Sequence, residues 1–209
     1  MALIDAIKKA KEQAKPRKFK QSVDLIINLK NVDLKKPENR FNSEFFLPGG
    51  LGKDMKIAAI VDSLAPEAKG LVDLVIRKEE IEKLASKKKE LKNIANNYDW
   101  FLGEATLMAQ IGKSLGTVLG PRGKIPKPVP PKVKLEPFVG RAKNTVRVVL
   151  RDTPVVQVSI GVEDMENDKL AANAEAIYNF VRDKLPKGKN NIRSTMVKLT
   201  MGKPVKAEV

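Results

Sequence analysis

The sequence predicts two domains of mixed α and β structure, and three observations lead to this fold class. Apolar and polar residues alternate in short segments near both ends of the chain, as in strands with one buried face. The middle contains short, continuously apolar runs, which are typical of parallel strands buried on both faces. Helical patterns separate those runs. We therefore predict a discontinuous α+β domain formed by both termini, carrying an inserted Rossmann-like α/β domain.

The N-terminal segment predicts a helix and two strands. Apolar residues recur at helical spacing over residues 3–14, and Pro16 ends this helix. Residues 22–30 alternate in polarity, which predicts a half-buried strand. A second strand over residues 43–47 leads into the turn Pro48-Gly49-Gly50.

The middle of the chain alternates strands with helices, the pattern of a small parallel α/β domain. The predicted strands are residues 57–61, 72–76 and 98–102. The predicted helices are one capped by Asp62 or Ser63, one over 79–97 with a break near Ser86, and one over 104–115. From Gly116 to Pro131 the chain is rich in Gly and Pro, and we predict an exposed ordered loop there.

Alternation returns in the C-terminal part of the chain. Residues 146–150 and 156–160 flank Asp152-Thr153-Pro154, which predicts a hairpin, and a helix over 170–185 and a strand over 194–199 follow. A hairpin stays within one domain, so the chain must return to the first domain where this hairpin begins. The predicted domains are therefore residues 1–54 with 146–209, and residues 55–145.

The charge balance favours a polyanionic partner. Forty Lys and Arg face 25 Asp and Glu, a net charge of +15, and such a field attracts RNA. The chain has no Cys and no His, which excludes disulfides and thiolate zinc sites and removes the most frequent general base and metal ligand. Catalysis by Lys, Asp or Ser stays open on composition alone, but the missing groups argue against an enzyme, and we predict no cofactor, no metal and no enzymatic activity.

Targeting signals are also missing from the sequence. No apolar stretch approaches the ~20 residues that span a bilayer. The N-terminus carries Lys within its second helical turn, unlike a signal peptide. We expect a soluble cytoplasmic protein without a membrane partner.

Three short motifs have chemical interest. Gly112-Lys113-Ser114 resembles the end of a phosphate-binding loop, but Leu107 stands where that motif needs Gly. The run Leu199-Thr200-Met201-Gly202 would let a ligand approach the backbone, although chemistry alone favours an ordinary strand end. The third motif is a basic loop, which chemistry supports equally as a phosphate-binding surface or a conformationally demanding linker. Its cations are Arg122, Lys124, Lys127, Lys132 and Lys134.

Four stretches together resemble one protein family. They are Phe19 with Ser22-Val23-Asp24, the turn Leu47-Pro48-Gly49-Gly50-Leu51-Gly52-Lys53, the run Leu119-Gly120-Pro121-Arg122-Gly123-Lys124-Ile125-Pro126-Lys127-Pro128, and Leu199-Thr200-Met201-Gly202. In order, and over essentially the whole chain, they resemble the ribosomal protein family that forms the mobile stalk beside the tRNA exit site of the large subunit. The short N-terminus and the segment Lys127-Pro128-Val129-Pro130-Pro131 look archaeal rather than bacterial.

The resemblance implies two domains joined by two hinge strands, with the end-to-end domain gripping a bent ribosomal RNA element. The implied RNA-binding residues are Lys18, Phe19, Arg151, Asp152, Ser194, Thr200, Met201 and Gly202. A possible second RNA contact consists of Arg122, Lys124 and Lys127. RNA helices are recognised by shape, 2′-hydroxyls and backbone. We expect hydroxyls from Ser194 and Thr200 to bond the sugars, and Met201 to act as an apolar wedge. The match is weakest at the turn, where Thr153-Pro154 departs from the bacterial pattern.

From the resemblance we expect a structural protein that binds large-subunit ribosomal RNA at the stalk, assists release of deacylated tRNA and represses its own messenger RNA. The expected partners are those three RNAs, and the free protein is expected to be a monomer. An RNA-processing or nucleotide-dependent enzyme using the inserted domain is the alternative, against which the missing phosphate-loop Gly and His argue. A nonspecific DNA binder would fit the charge but not the Thr-Met-Gly ending.

Overall fold

The computed structural model describes residues 2–131 and 133–208, so Lys132 of the predicted basic loop lies outside the described residues. The helices are α1 (Leu3–Glu12), α2 (Ala65–Ala68), α3 (Lys78–Ser86), α4 (Lys88–Asn97), α5 (Met108–Leu119), α6 (Glu136–Lys143) and α7 (Asn167–Lys184). The strands are β1 (Ser22–Leu29), β2 (Phe41–Phe46), β3 (Ile57–Ile60), β4 (Leu74–Ile76), β5 (Trp100–Glu104), β6 (Lys127–Val129), β7 (Thr145–Leu150), β8 (Val155–Val162), β9 (Ile192–Leu199) and β10 (Val205–Ala207).

The chain divides into two compact units. The terminal unit is Met1–Lys53 with Asn144–Val209, and the inserted unit is Asp54–Lys143. These divisions lie one and two residues from the boundaries that the sequence predicts. The predicted fold class, an α+β part from both termini with an inserted α/β part, is confirmed. Independent folding of the two domains stays a prediction.

The terminal unit is built on a four-stranded antiparallel sheet of order β10-β9-β1-β8. Helices α1 and α7 pack on one face of it. Along β1, Val23, Leu25 and Ile27 are buried on that side, and the alternating residues are half-exposed on the other. We call the second side the open face. Its residues are Ser22, Asp24, Ile26 and Asn28 of β1, Val155, Gln157 and Ser159 of β8, Ser194, Met196 and Lys198 of β9, and Lys206 of β10.

The predicted hairpin over residues 146–160 is wrong. Strand β7 pairs with β2 in a separate two-stranded ribbon, whereas β8 pairs with β1. Alternation shows that each strand has one buried face, but it does not choose the hydrogen-bonding partner. The ribbon packs on α7, since the rings of Phe41 and Phe45 lie 6.5 and 5.0 Å from that of Phe180.

The turn after β2 is fixed to α7 by a buried amide. Asn173 is fully buried, its Oδ1 accepts the N–H of Gly49 at 2.8 Å, and its Nδ2 donates to the carbonyls of Gly50 and Ile160 at 2.8 Å each. Gly50 has φ +74°, a conformation that L side chains rarely adopt. The Leu-Pro-Gly-Gly motif is thus a clamped turn at the edge of the terminal unit.

The inserted unit contains a parallel sheet of order β4-β3-β5-β6 with apolar layers on both faces. One layer holds Ile81, Leu91 and Ile111 of α3, α4 and α5, and the other holds Ala65 and Val139 of α2 and α6. Strand β3 is buried throughout, as predicted for residues 57–61, whereas β4 and β5 each begin two residues later than predicted and β4 is only partly buried. The helix break near Ser86 is confirmed.

Two local predictions in this unit fail, and one helix was missed. Residues 116–131 are not a loop throughout, because α5 continues to Leu119 and β6 adds an edge strand. Helix α6 was not predicted. The helix after β3 begins at Ala65 without a side-chain cap, and neither Asp62 nor Ser63 caps it. A three-residue strand containing Pro128 carries too little periodicity to be recognised, and Pro is tolerated there because β6 lies at the sheet edge.

Candidate nucleic-acid interface

The end of β9 is fixed to the start of β1. Thr200 Oγ1 accepts the N–H of Ser22 at 3.1 Å and lies 3.3 Å from the Ser22 carbonyl, to which it donates, while the Thr200 N–H donates to that same carbonyl at 3.0 Å. The N–H of Met201 donates to Gln21 Oε1 at 3.2 Å. The predicted Thr-Met-Gly ending is therefore a turn held by hydrogen bonds to residues 21–22.

Two large apolar side chains are exposed beside this turn. Met201 is 60% exposed, and Phe19, two residues before Gln21, is 52% exposed. Lys18 is exposed next to Phe19. Exposed apolar groups among cations are suited to contact sugar or base faces.

Acidic residues after β8 order the segment that carries Phe19. Glu163 accepts hydrogen bonds from the Gln21 N–H at 2.9 Å and from Gln21 Nε2 at 3.3 Å. Asp164 forms an ion pair with Lys20 at 2.8 Å, and this hydrogen bond raises the pKa of the Lys20 ammonium. Residues 20–21, which lead into β1, are thus held by the residues that follow β8.

Gly202 has a structural reason to be glycine in this turn. Its N–H donates to the Leu199 carbonyl at 2.9 Å, and an added Cβ would lie 3.3 Å from the Cβ of Leu199. The described backbone shows no positive φ at Gly202. The close approach therefore comes from the chain itself, and a ligand is not needed to account for it.

The other predicted residues lie at the opposite end of β1. Ser194 pairs with Asn28, and Ser194 Oγ accepts a hydrogen bond from Asn28 Nδ2 at 3.0 Å. Arg151 and Asp152 are exposed in the bend between β7 and β8. Since a strand rises about 3.3 Å per residue, roughly 20 Å of open face separates Asn28 from the Thr200 turn. The predicted residues thus form two groups at the two ends of one sheet face.

Sequence reasoning missed residues of the open face between these groups. Asp24 and Lys198 are cross-strand neighbours there. Burial raises the pKa of the Asp24 carboxyl, and the charge of Lys198 opposes the shift. The alternation of polar and apolar residues over 22–30 and 194–199 could have identified both residues, because it places each of them on the polar side of its strand.

The three cations of the predicted second contact have structural roles in the inserted unit. Lys124 Nζ donates to the carbonyls of Ala95 and Tyr98 at 2.8 and 2.7 Å, where it complements the C-terminal dipole of α4. Lys127 Nζ lies 4.5 Å from the centre of the Trp100 ring. Arg122 donates to the Val118 carbonyl at 3.0 Å. RNA binding by these residues stays a prediction.

The place where open α/β sheets hold nucleotides is occupied by the chain itself. The sheet order reverses between β3 and β5, and ligands bind beyond the strand ends at such points. Here Glu104, 3% exposed, accepts hydrogen bonds from the N–H groups of Asp62 and Ser63 at 2.9 and 3.1 Å, and from the hydroxyls of Ser63 and Thr106 at 2.9 Å each. Burial by itself raises the pKa of the Glu104 carboxyl, but these hydrogen bonds outweigh it and hold the pKa below its ordinary value.

Other signs of catalysis are missing from the part of the chain that the structure describes. Gly112-Lys113-Ser114 lies inside α5, where helical backbone cannot cradle a phosphate. Residues 2–131 and 133–208 contain no group of three or more His, Cys, Asp or Glu that could hold a metal ion. Within the same residues no helix is long and apolar enough to cross a membrane.

Fold and surface together define a class: a strongly basic protein of two units, whose terminal unit presents an open sheet face with exposed apolar side chains at one end. The model of the ribosomal protein L1p/L10e family matches residues 7–203, and the chain belongs to this family. It is an archaeal-type ribosomal protein of the large subunit, from a family that binds ribosomal RNA.

Curated relatives match over nearly their full length. The chain is 48% identical to the large ribosomal subunit protein uL1 of Methanothermobacter thermautotrophicus, covering 98% of this chain and 97% of the relative. It is 49% identical to that of Thermococcus kodakarensis, over 99% and 96% of the two chains. For Methanococcus maripaludis the identity is 50%, over 96% and 94%.

Proposed function

We propose that the chain binds large-subunit ribosomal RNA at the stalk through the open face of the terminal unit and its two ends. The proposed contacts are Lys18, Phe19, Arg151, Asp152, Ser194, Thr200, Met201 and Gly202. The observation that carries the proposal is the hydrogen-bonded turn at Thr200, with Met201 and Phe19 exposed beside it. Preordering favours binding because less conformational entropy is lost on docking.

The chemistry of this surface suits a folded RNA. Thr200 Oγ1 already serves Ser22, but a hydroxyl has two lone pairs and can accept one further bond from a 2′-hydroxyl. Met201 and Phe19 offer apolar contact, while cations such as Lys18 bind phosphates without reading sequence. RNA recognised through sugars and shape requires such short-range fit.

Filter binding to protein-free archaeal large-subunit ribosomal RNA, over a series of salt concentrations, tests the proposal. Phe19→Ala should lose about 1–3 kcal/mol of binding free energy, as expected for a lost stacking contact. Met201→Ala should lose about 1–2 kcal/mol, as expected when an apolar side chain is no longer buried on binding. Their salt dependence should match wild type, because no cation is removed. Lys18→Ala should instead make the slope of log binding constant against log salt concentration shallower by about 0.9, the value expected for one lost phosphate contact.

The chain offers a matched control in Phe46, which is 48% exposed in the same unit but lies on the β2-β7 ribbon. Phe46→Ala should bind like wild type, and far-UV circular dichroism should show all variants folded. If Phe19→Ala and Met201→Ala bind as tightly as Phe46→Ala while Arg122→Ala loses most affinity, the site belongs to the basic loop and the proposal is wrong.

We further propose that the chain assists release of deacylated tRNA at the exit site and represses translation of its own messenger RNA. The resemblance of its motifs to the stalk protein family supports both activities. If one surface binds both the ribosomal RNA and the chain's own messenger RNA, the two RNAs cannot bind at the same time. Ribosomal RNA should therefore displace the messenger RNA. Simultaneous binding of both RNAs by one molecule would contradict the repressor proposal. The tRNA proposal fails if subunits lacking the chain release deacylated tRNA at the normal rate.

A further inference from the structure

A groove of about 450 Å³ opens on the terminal unit at the Asn28 end of the open face. Arg193 and Lys206 supply positive charge to its lining, and Asn28 and Ser194 supply an amide and a hydroxyl. None of the described residues that line it is acidic. Its volume falls in the range of about 300–1,000 Å³ that is typical of pockets for small ligands.

A β-bulge places Arg193 in this groove. Asn28 is opposite Ser194, but the next residue, Leu29, is opposite Ile192, so Arg193 is an extra residue in β9. By alternation Arg193 would share the buried side of Thr195, yet it is exposed and lines the groove. Bulges re-aim a side chain at the cost of a ladder interaction and are frequent beside functional sites. The irregularity thus brings a guanidinium to the open face.

The other lining groups complement this cation. Asn28 Nδ2 donates to Ser194 Oγ at 3.0 Å, and an amide and a hydroxyl have capacity for further hydrogen bonds beyond that one. Lys206 is the cross-strand neighbour of Met196, and both residues line the groove, which thus combines a cation with an apolar side chain. A ligand that fits must combine an anion, a sugar-like hydroxyl and an apolar surface.

We propose that this groove is a subsite for one nucleotide of the bound RNA. Its phosphate is held by Arg193 and Lys206, and its 2′-hydroxyl by the Asn28–Ser194 pair, with Met196 against the sugar. The guanidinium fork matches two phosphate oxygens, and the 2′-hydroxyl is both donor and acceptor, as the amide–hydroxyl pair requires. The inference rests on the proposed function and adds Asn28, Arg193 and Lys206 to its surface.

Binding of the full chain to protein-free archaeal large-subunit ribosomal RNA tests the anionic part of the subsite. Arg193→Gln should weaken binding about tenfold or more, as for a lost hydrogen bond to a charged group. Arg193→Lys, which keeps the charge but loses the fork, should be intermediate. Lys8→Gln is the matched control. It removes the same charge as Arg193→Gln, but Lys8 is exposed on α1, away from the open face. Equal affinities of Arg193→Gln and Lys8→Gln would overturn the proposal.

Interference mapping tests the sugar contact. A ribosomal RNA pool carrying random 2′-deoxy substitutions is sorted by binding to wild type and to Asn28→Ala. At least one position where 2′-deoxy substitution weakens wild-type binding should lose its effect with Asn28→Ala, and identical interference patterns would contradict the sugar contact. Failure of the proposed function gives a different result, since Phe19→Ala and Met201→Ala would then bind like wild type. If those two variants lose affinity while Arg193→Gln does not, only the nucleotide subsite is wrong.

Discussion

Replacing Glu104 should destabilise the inserted unit. Its buried carboxylate accepts two backbone N–H groups, from Asp62 and Ser63, and two hydroxyls, from Ser63 and Thr106. In Glu104→Gln the amide oxygen still faces the N–H groups, and the hydroxyls can rotate to accept from the new NH₂. The variant therefore keeps its bonds but loses their charge.

The geometry sets the magnitude of the loss. A hydrogen bond to a charged group contributes ~1.5–3 kcal/mol and a neutral one ~0.5–1.5 kcal/mol, so two backbone bonds lose about 2 kcal/mol in Glu104→Gln. Glu104→Ala leaves buried donors without an acceptor and should cost about 3–5 kcal/mol. Glu90→Gln is the control, because Glu90 is exposed in an ion pair with Lys87 and should cost under about 1 kcal/mol.

The pH dependence gives an independent check. Because the folded-state pKa of Glu104 lies below its ordinary value, ionisation stabilises the folded unit above the ordinary pKa. That contribution is lost as the pH falls through the folded-state pKa. The difference in unfolding free energy between wild type and Glu104→Gln should therefore be largest near neutral pH and shrink in acid.

Urea unfolding followed by tryptophan fluorescence measures this directly. Trp100 is the only tryptophan of the chain and lies buried in β5, so its signal reports the inserted unit. If Glu104→Gln unfolds at the same urea concentration as Glu90→Gln at neutral pH, the carboxylate does not hold the strand ends together. The chain should also show no ATP or GTP hydrolysis, because Glu104 occupies the amides that would otherwise face a phosphate.

Three further outcomes are expected. Asn173→Ala removes a fully buried amide with three 2.8 Å hydrogen bonds and should cost the terminal unit about 3 kcal/mol, measured by hydrogen exchange of its amides; unchanged exchange would contradict the clamp. The raised pKa of Asp24 means that its ionised form is disfavoured in the folded state. Asp24→Asn should therefore raise the melting temperature near neutral pH, and this gain should vanish below the ordinary pKa of Asp. A lower melting temperature would show that attraction to Lys198 dominates. Residues 1–53 joined to 144–209 by a short linker should fold and bind ribosomal RNA like the full chain, and affinity residing in the inserted unit alone would refute this.

Much of the fold could be predicted because burial on one face leaves a periodic trace in the sequence. Strand β1, helix α7 and strand β9 each carry that trace over eight or more residues. Strands β6 and β10 have three residues each, too few for a period to emerge. The failed hairpin shows a second limit, since β7 and β8 alternate as a hairpin would but pair with different partners.

By itself the sequence determined the two styles of sheet, the basic charge and the chemical groups that the candidate surface can present. Only the tertiary structure decided which of those groups meet. Ser22 and Thr200 are 178 residues apart in the chain and share a hydrogen bond. Lys124, a phosphate-binding candidate by type, instead completes the end of α4, and a single extra residue turns Arg193 onto the open face. Periodicity and composition are local properties, whereas strand pairing, register and helix ends depend on contacts between distant segments.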